Sequence, residues 1–355
     1  MEVLKPFRLK VVESILQGYN GQLAFHLYFS QLCQQHRQWG SKDRKIYKAI
    51  CYAYFRLGYA VKDKSLQEGI TMAVEAMNNG FDQIPLEVIF PHVDVLSPSY
   101  QNINWIKGLL FQKPVYLSVL PKHLQTVKQY LMQNGHTIVF EQDYCIGLEA
   151  TTNCEEIIKR GWAWIMDLSS QQIASMVTIH PGDAVWDACA GAGGKSLYLT
   201  AHAPSPFELT CSDKRLTVLD NLKQRFKGLQ LNAPRVELCD LTQGFQLSNS
   251  YDVIVLDVPC SGSGTWGRTP EHIAHFDLTQ IERFQTLQQN LFAQAIKHLK
   301  PNGRLYYMTC SVFKAENEDN INYWLEHYDL KLQKQTYAFS SDASADVLFC
   351  AELMR

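Results

Sequence analysis

The sequence lacks any apolar run that approaches the roughly 20 residues needed to cross a bilayer. Its first residues, Met1 to Lys5, also lack the apolar core of a secretory signal. We therefore expect a cytoplasmic protein with no membrane partner. The ten cysteines form no CxxC pair and no repeated Cys/His spacing, which argues against a structural zinc site and against a disulfide framework. We expect reduced thiols, most of them buried, and no metal.

An excess of charge of one sign is also missing. The chain carries 33 Lys+Arg and 35 Asp+Glu, a formal net charge of −2, which by itself predicts no polyanionic partner. Residues 1–64 are the exception, with 11 basic and 4 acidic side chains and a local charge of +7. This balance is typical of a nucleic-acid-binding surface, and a solvated basic helix face explains it equally well.

The length and composition predict two or three folded units, because 355 residues with 46% hydrophobic side chains exceed one typical domain. Apolar residues recur at helical spacing up to about residue 79, so we expect an all-helical domain over residues 1–80. Its clearest helix begins near Ser41, which we expect to be the cap, with Asp43 in the first turn. No internal repeat is visible.

Residues 81–180 are predicted to form a linker and a small α/β subdomain. The patterns indicate strands at 115–119 and 137–140 with a helix at 124–133 between them. From residue 181 to 355, short strands alternate with helices of ten to fifteen residues. This alternation predicts the α/β class with a doubly wound, mostly parallel sheet, which binds ligands at the carboxyl ends of its strands.

A glycine-rich turn, residues 187–196 (DACAGAGGKS), follows the first strand of that sheet and begins a helix. Glycines allow the backbone to approach a ligand, and a helix N-terminus favours a negative group. The end of the turn imitates a P-loop, but position 189 is cysteine where that motif requires glycine. The dinucleotide fingerprint GxGxxG is broken as well, which weakens a nicotinamide interpretation without excluding it.

Three aspartates follow successive strands of the predicted sheet. Asp187 ends the first strand, Asp213 ends the second, where a carboxylate can accept the hydroxyls of a ribose, and Asp240 ends the third. Strand-end aspartates are also common turn formers. Three in succession favour a site for a cofactor that contains adenosine.

Two cysteines follow the next two strands of the predicted sheet. Cys260 lies in residues 257–264 (DVPCSGSG), and Cys310 lies in residues 309–312 (TCSV). A lone cysteine at a strand end is more often a small buried apolar residue than a nucleophile. Because sequential parallel strands are usually neighbours, both thiols should face the cofactor crevice, which suggests covalent chemistry.

The ordered set of these motifs resembles the Sun/Fmu (RsmB-type) RNA cytosine-C5 methyltransferases. The resemblance covers about residues 160–320 and includes residues 167–171 (DLSSQ), 268–271 (RTPE) and 316–318 (ENE). It implies a class I, Rossmann-like methyltransferase domain. The start of the chain is similar, more loosely, to the NusB-like RNA-binding domain of the bacterial ribosomal-RNA members.

The resemblance also implies the role of each site residue. Cys310 would add to carbon 6 of the cytosine, Cys260 would take part in release of the product, and Asp257 and Lys195 would complete the catalytic set. The partner would be RNA, with ribosomal RNA expected first and no obligate protein partner. S-adenosylmethionine would be the cofactor, held by Asp187, Cys189, Ala190, Gly191, Gly193, Gly194, Lys195, Asp213, Asp240 and Asp257.

Several alternatives stay open at this point. Ser118 and Leu120 stand where the family usually has arginine and asparagine, so a transfer-RNA substrate is also compatible with the sequence. A non-catalytic RNA-binding assembly factor would not need both cysteines, and a dehydrogenase would not need paired thiols. Arg215 and Arg268 are candidates for phosphate contacts, whereas His272 and His275 are expected to be structural.

Overall fold

The computed structural model describes residues 5–100, 104–203, 206–243 and 250–355. Chain contacts divide it into two compact units. The helical unit consists of Met1–Leu96, Tyr100–Gln112 and Thr265–Leu278. The sheet unit consists of Ser97–Ser99, Lys113–Gly264 and Thr279–Arg355. Among the described residues, no helix combines the length and the apolar character that a membrane span requires.

Within the described residues, the helical unit contains seven α-helices. They are Pro6–Gly18 (α1), Phe25–Gln35 (α2), Ser41–Arg56 (α3), Leu66–Asn79 (α4), Leu86–Ile89 (α5), Asn104–Lys107 (α6) and Glu271–His275 (α12). Its core is aromatic around Phe25, whose ring packs edge-on against Phe55 at 4.9 Å between centroids. The unit thus continues past the expected boundary at residue 80 and includes a segment of the range assigned to the catalytic sheet.

That late segment completes the helical unit through a hydrogen bond. Oε1 of Glu271, a residue only 1% exposed, accepts from the backbone N–H of Phe25 at 3.0 Å. Phe25 is the first residue of α2, so a carboxylate from a distant part of the chain satisfies one of its unpaired N–H groups. By contrast, Ser41 is the first helical residue of α3 and Gly40 is its N-cap, without a side-chain cap, so the expected capping role of Ser41 is wrong.

The sheet unit contains all eleven strands of the described residues. They are Val115–Val119 (β1), Ile138–Gln142 (β2), Cys145–Leu148 (β3), Ala163–Ile165 (β4), Ala184–Asp187 (β5), Glu208–Asp213 (β6), Arg235–Leu238 (β7), Tyr251–Asp257 (β8), Leu299–Thr309 (β9), Lys331–Ala338 (β10) and Leu348–Met354 (β11). Its helices are Leu124–Gln133 (α7), Glu155–Lys159 (α8), Leu168–Ser175 (α9), Gly194–His202 (α10), Leu216–Gly228 (α11), Thr279–Ala295 (α13) and Glu318–His327 (α14).

The large sheet has the order β10-β11-β9-β8-β5-β6-β7. The strands from β9 to β7 pair in parallel, and β11 and β10 close one edge in antiparallel pairs. The doubly wound α/β class is confirmed. The chain runs outward from β5 in both directions, so the topological switch, where such sheets bind ligands, lies between β5 and β8.

Residues of the central strands pack on both faces of the large sheet. On one face Trp186 and Leu256 pack with Phe292 of α13 and Trp324 of α14, whose rings stack at 3.9 Å between centroids. On the other face the neighbouring Val185 clusters with Ile173 and Leu199 of α9 and α10. Because successive residues of these strands are buried on opposite faces of the sheet, the strands are nearly continuous apolar runs.

The small sheet has the order β2-β3-β1-β4 with antiparallel pairs throughout. The predictions of β1 and α7 match the structure, but β3 and β4 were missed because their short runs contain glycine or follow a turn without clear alternation. Ser118 and Leu120 are 0% and 2% exposed, and Ser118 Oγ lies 3.4 Å from Nε2 of His202. These two positions serve packing inside the sheet unit.

Candidate functional site

The glycine turn between β5 and α10 has a backbone that requires glycine. Gly191 and Gly193 have φ angles of +53° and +78°. A Cβ atom on Gly193, the N-cap of α10, would lie 2.8 Å from Cγ of Leu222. Gly193 therefore allows close packing of the turn against α11, whereas Gly191 and Gly194 line the cleft that the turn borders.

Asp187 is a buried carboxyl group at the end of β5. The residue is 1% exposed, and its Oδ2 accepts from the hydroxyl of Ser196 at 2.5 Å. Oδ1 has no hydrogen-bond partner among the described residues. Burial raises the pKa of Asp187 to about 7, although the Ser196 hydrogen bond opposes this shift. The group is thus a buried acceptor with unused capacity at the edge of the cleft.

Asp213 ends β6 and is fully engaged by its neighbours. Oδ1 accepts from the backbone N and from Nε of Arg215, both at 2.9 Å, while Oδ2 accepts from Gly191 N at 3.1 Å and from Nη2 of Arg215 at 3.0 Å. Burial opposes ionisation, but the Arg215 contacts outweigh it and lower the pKa of Asp213. The Arg215 side chain of this pair is 58% exposed, whereas that of Asp213 is 7% exposed.

Asp240 lies two residues beyond the end of β7, not on the strand as expected. Its Oδ1 accepts from the backbone N and from the hydroxyl of Thr242 at 3.0 and 2.7 Å. These bonds form a turn, and the carboxylate still lines the cleft.

A second ion pair, after that of Arg215 with Asp213, lies at the topological switch between β5 and β8. Nζ of Lys195 in the first turn of α10 donates a hydrogen bond to Oδ2 of Asp257 at the end of β8. Burial disfavours the ammonium, but the charge and hydrogen bond of Asp257 outweigh this effect and raise the pKa of Lys195. The cleft therefore holds a fixed lysine–carboxylate pair, with Lys195 9% exposed.

The two cysteines that the sequence analysis placed after neighbouring strands lie next to each other in the structure. Sγ of Cys260 and Sγ of Cys310 are 3.2 Å apart and share a hydrogen bond. That bond, together with burial and the charges of Cys310 and Glu316, raises the pKa of Cys260 well above its ordinary value.

These groups share one cleft of about 560 Å³, a volume in the usual range for small-molecule sites. Among the predicted residues, Gly193 does not line it. The lining residues to which sequence reasoning gave no role include Ser170, Lys214, Thr242, Leu287 and Leu291. The two leucines lie one helical turn apart on α13 and could have been found from that spacing. Arg268, His272 and His275 belong to the helical unit, where the His275 ring packs edge-on against Tyr19.

Comparison with known proteins shows that the part of the chain that forms this cleft matches a known protein family. Residues 174–347 match the family model described as 16S rRNA methyltransferase RsmB/F. These residues form a domain of the RsmB/F methyltransferase family, called the RsmB/F domain below. All the predicted site residues lie within the match.

The RsmB/F domain is similar to curated proteins that differ in substrate. It is 32% identical over 188 residues to tRNA (cytosine(72)-C(5))-methyltransferase NSUN6 of Mus musculus, an alignment that covers 49% of this chain and 39% of the relative. It is also 32% identical over 170 residues to ribosomal RNA small subunit methyltransferase B of Xylella fastidiosa, covering 45% and 38%. The chain thus spans well under half the length of these relatives.

A solved structure extends the likeness in fold beyond the RsmB/F domain. The crystal structure of PH0851 superposes with a TM-score of 0.75 at 18% identity and covers 99% of both chains. The architecture around the RsmB/F domain, including a helical N-terminal region, therefore recurs in a solved protein.

The buried carboxyl of Asp187 predicts a pH dependence of stability. Its folded pKa of about 7 lies above the value of ~3.9 in an unfolded chain, so the unfolded state loses its proton first and stability falls as pH rises from about 4 to 7. Asparagine does not ionise, so Asp187→Asn removes this loss. The free energy of unfolding of the variant minus that of the original protein should be about 2–3 kcal/mol larger at pH 8 than at pH 5.

Urea unfolding followed by circular dichroism at the two pH values measures this difference. Asp329→Asn, at an exposed aspartate, is the matched control and should show no such gain. An equal effect of Asp187→Asn at both pH values would contradict the assignment of the shift.

Proposed function

We propose that this chain transfers a methyl group from S-adenosylmethionine to carbon 5 of a cytosine in RNA, through a covalent cysteine adduct at carbon 6. The observation that carries the proposal is the pair of thiols, 3.2 Å apart, in the same cleft as a glycine turn and strand-end carboxylates. Nucleotide binding alone needs no such thiols, and a hydride transfer would not use them.

The residues of the cleft fit S-adenosylmethionine. Oδ1 of Asp187 is a buried acceptor without a partner among the described residues, which suits an ammonium group. Asp213, once released by Arg215, and Asp240 offer carboxylates for the adenosine part, and the backbone at Gly191 and Gly194 allows close approach. When bound, the cofactor supplies an electrophilic methyl group.

Cys310 is proposed as the nucleophile because the family resemblance assigns the addition at carbon 6 to the cysteine that follows β9. A thiolate is the reactive form of cysteine, and nearby positive charge favours it. Sγ of Cys260 lies 3.2 Å from Sγ of Cys310, within hydrogen-bond distance. The charge of Cys310 also acts on Lys195, whose ammonium supplies positive potential.

Addition of Cys310 to carbon 6 makes carbon 5 nucleophilic enough to accept a methyl group. Asp257 is proposed to hydrogen-bond the base near N3 and its exocyclic amine, and Lys195 to balance the charge that develops on addition. After methylation a base removes the proton on carbon 5, the ring recovers its double bond and the Cys310 thiolate leaves. Cys260 is assigned to this release.

Replacement of Cys310 and replacement of Cys260 should therefore have different effects on the reaction. Cys310→Ala leaves no route to the activated ring, so methyl transfer should vanish while cofactor and RNA still bind. Cys260→Ala should allow addition and methylation but stall elimination, leaving RNA attached to the protein as a band that resists denaturants in electrophoresis. The double variant should lose that band, and Cys33→Ala, at a partly exposed cysteine of the helical unit, is the matched control.

An adduct that appears with Cys310→Ala and not with Cys260→Ala would reverse the assignment. Methyl transfer that survives in both variants would exclude the covalent mechanism. Cofactor and RNA binding without any methylation by the unaltered protein would favour the non-catalytic assembly factor.

Ribosomal RNA is the proposed substrate, because the matching family is described as a 16S rRNA methyltransferase family. The likeness to NSUN6 makes a transfer RNA the second candidate. Bisulfite mapping of 5-methylcytosine in cells with and without the gene should show the loss of a modification in ribosomal RNA, restored by the intact gene and not by the Cys310→Ala form. Loss from a transfer RNA instead would reassign the substrate.

The helical unit is proposed to add RNA affinity. Of the 11 basic residues within 1–64, Arg56 is buried and donates to the carbonyls of Leu109 and Gly267, so it is not available to RNA. Lys42, Lys45 and Lys48 are exposed on α3 at a spacing of three, which keeps them on one side of the helix. They form a compact set of exposed positive charge in this segment.

Replacement of Lys42, Lys45 and Lys48 by glutamine should weaken RNA binding and flatten its salt dependence. For single-stranded RNA the slope of log K against log salt should fall by ~0.7 for each phosphate that the variant no longer neutralises, and cofactor affinity should not change. Filter binding over a salt series measures the slope. Glutamine at the exposed Lys297, Lys331 and Lys334 of the sheet unit is the matched control, and equal slopes for both triple variants would show that the α3 lysines form only a solvated face.

A further inference from the structure

Glu316 is a buried carboxylate close in sequence to Cys310 that does not line the cleft. It is 0% exposed and lies in a short helical turn between β9 and α14. Its Oε2 accepts from the backbone N–H of Ser261 and from Nε2 of Gln288, both at 2.9 Å. Its Oε1 accepts from the hydroxyl of Ser311 at 2.6 Å. Both oxygens are therefore satisfied by groups of three different segments.

The partners of Glu316 are the immediate neighbours of the two thiols. Ser261 follows Cys260, and Ser311 follows Cys310. Gln288 donates to the carbonyl of Pro259, the residue before Cys260, at 3.1 Å, and so ties the other side of the same loop to the same carboxylate. Hydrogen bonds to a buried charged acceptor are short and strong, so this arrangement restrains both segments together.

Resting on the function proposed above, we propose that Glu316 is a positioning residue that clamps the Cys260 loop to the end of β9 and so sets the separation of the two thiols. The clamp acts through Ser261 and Ser311 and not by contact with a substrate. A covalent mechanism that uses two neighbouring thiols depends on that separation, because a displacement of about 1 Å in such a site can cost about 100-fold in rate.

Glu316 also acts on Cys260 electrostatically. The titratable groups that act on Cys260 or respond to its charge are Cys310, Glu316 and the Tyr307 hydroxyl, and a backbone hydrogen bond at Gly262 opposes the rise in pKa. The Cys310 hydrogen bond and burial are the main causes that raise the pKa of Cys260, and the charge of Glu316 adds to them. A neutral side chain of the same shape should therefore lower the pKa of Cys260, which a purely structural role would not predict.

The first test measures the separation of the thiols in the full chain without RNA or cofactor. Phenylarsine oxide bridges two thiols only when they lie close together, so its capture reports the geometry directly. Glu316→Ala should reduce the capture rate at least tenfold. Glu316→Gln should stay within about threefold of the original protein, because its amide oxygen can accept from Ser261 N–H and its NH2 can donate to Ser311 Oγ. Glu326→Gln, at an exposed glutamate of α14, is the matched control, and Cys310→Ser gives the background from other cysteines.

The second test measures the pH at which Cys260 becomes reactive. In a Cys310→Ser background, alkylation of Cys260 by iodoacetamide, followed by mass spectrometry, should reach its midpoint at lower pH when Glu316→Gln is added. In the same Cys310→Ser background, Glu326→Gln should leave the midpoint of Cys260 alkylation unchanged. In methyl-transfer assays Glu316→Ala should lower kcat about 100-fold while KM for S-adenosylmethionine stays within twofold.

Unchanged capture in a folded Glu316→Ala protein would overturn the clamp. If that variant does not fold, Ser311→Ala, which removes the hydrogen bond to Oε1 of Glu316, decides, and an unchanged capture rate in that variant overturns the proposal. Capture that depends on Glu316 in a protein that methylates no RNA would support the clamp and overturn the proposed function, so the two failures are distinguishable.

Discussion

Parallel pairing of β8 with β5 on one side and with β9 on the other is the constraint on which the site depends. Parallel strands end at the same edge of a sheet, so Asp187, Asp257 and Cys310 reach one cleft although long stretches of chain separate them. The register places Asp257 opposite Met308, and Cys260 and Cys310 follow these residues by three and two positions. The contact between the thiols is a consequence of this register together with the turn after each strand.

The edge of the sheet is held by an extensive buried polar network. Asn317 donates to the carbonyl of Ser311 at 2.9 Å and accepts from Thr309 at 2.6 Å, so it fastens both neighbours of Cys310. Glu316 fastens the neighbours of both thiols. Such groups stabilise a structure only when each finds a partner, and in return they impose one geometry. Asp187 departs from this rule inside the cleft, because its Oδ1 has no hydrogen-bond partner within the described part of the chain.

The helical unit shows why charge counted along a sequence is a poor guide to charge on a surface. Arg56 contributes to the basic excess of residues 1–64, but it is buried and satisfies backbone carbonyls, while Arg8 pairs with Asp43 at 2.9 Å. The cap of α2 by Glu271 could not have been predicted from local sequence, since the two residues are 246 positions apart. Segment Thr265–Leu278 follows the cysteine motif in sequence and belongs to the other unit in space.

The sequence by itself determined the class of the large sheet, the limits of elements such as β1 and α7, and many of the residues that line the cleft. Apolar periodicity and glycine turns are local properties of a sequence, which is why these features could be predicted. Only the tertiary structure decided how those residues are engaged. Arg215 binds Asp213, Asp240 forms a turn, and Glu316 joins the two cysteine segments. Hydrogen bonds between distant segments depend on strand order and on the packing of α13 and α14, and these arise from the chain as a whole.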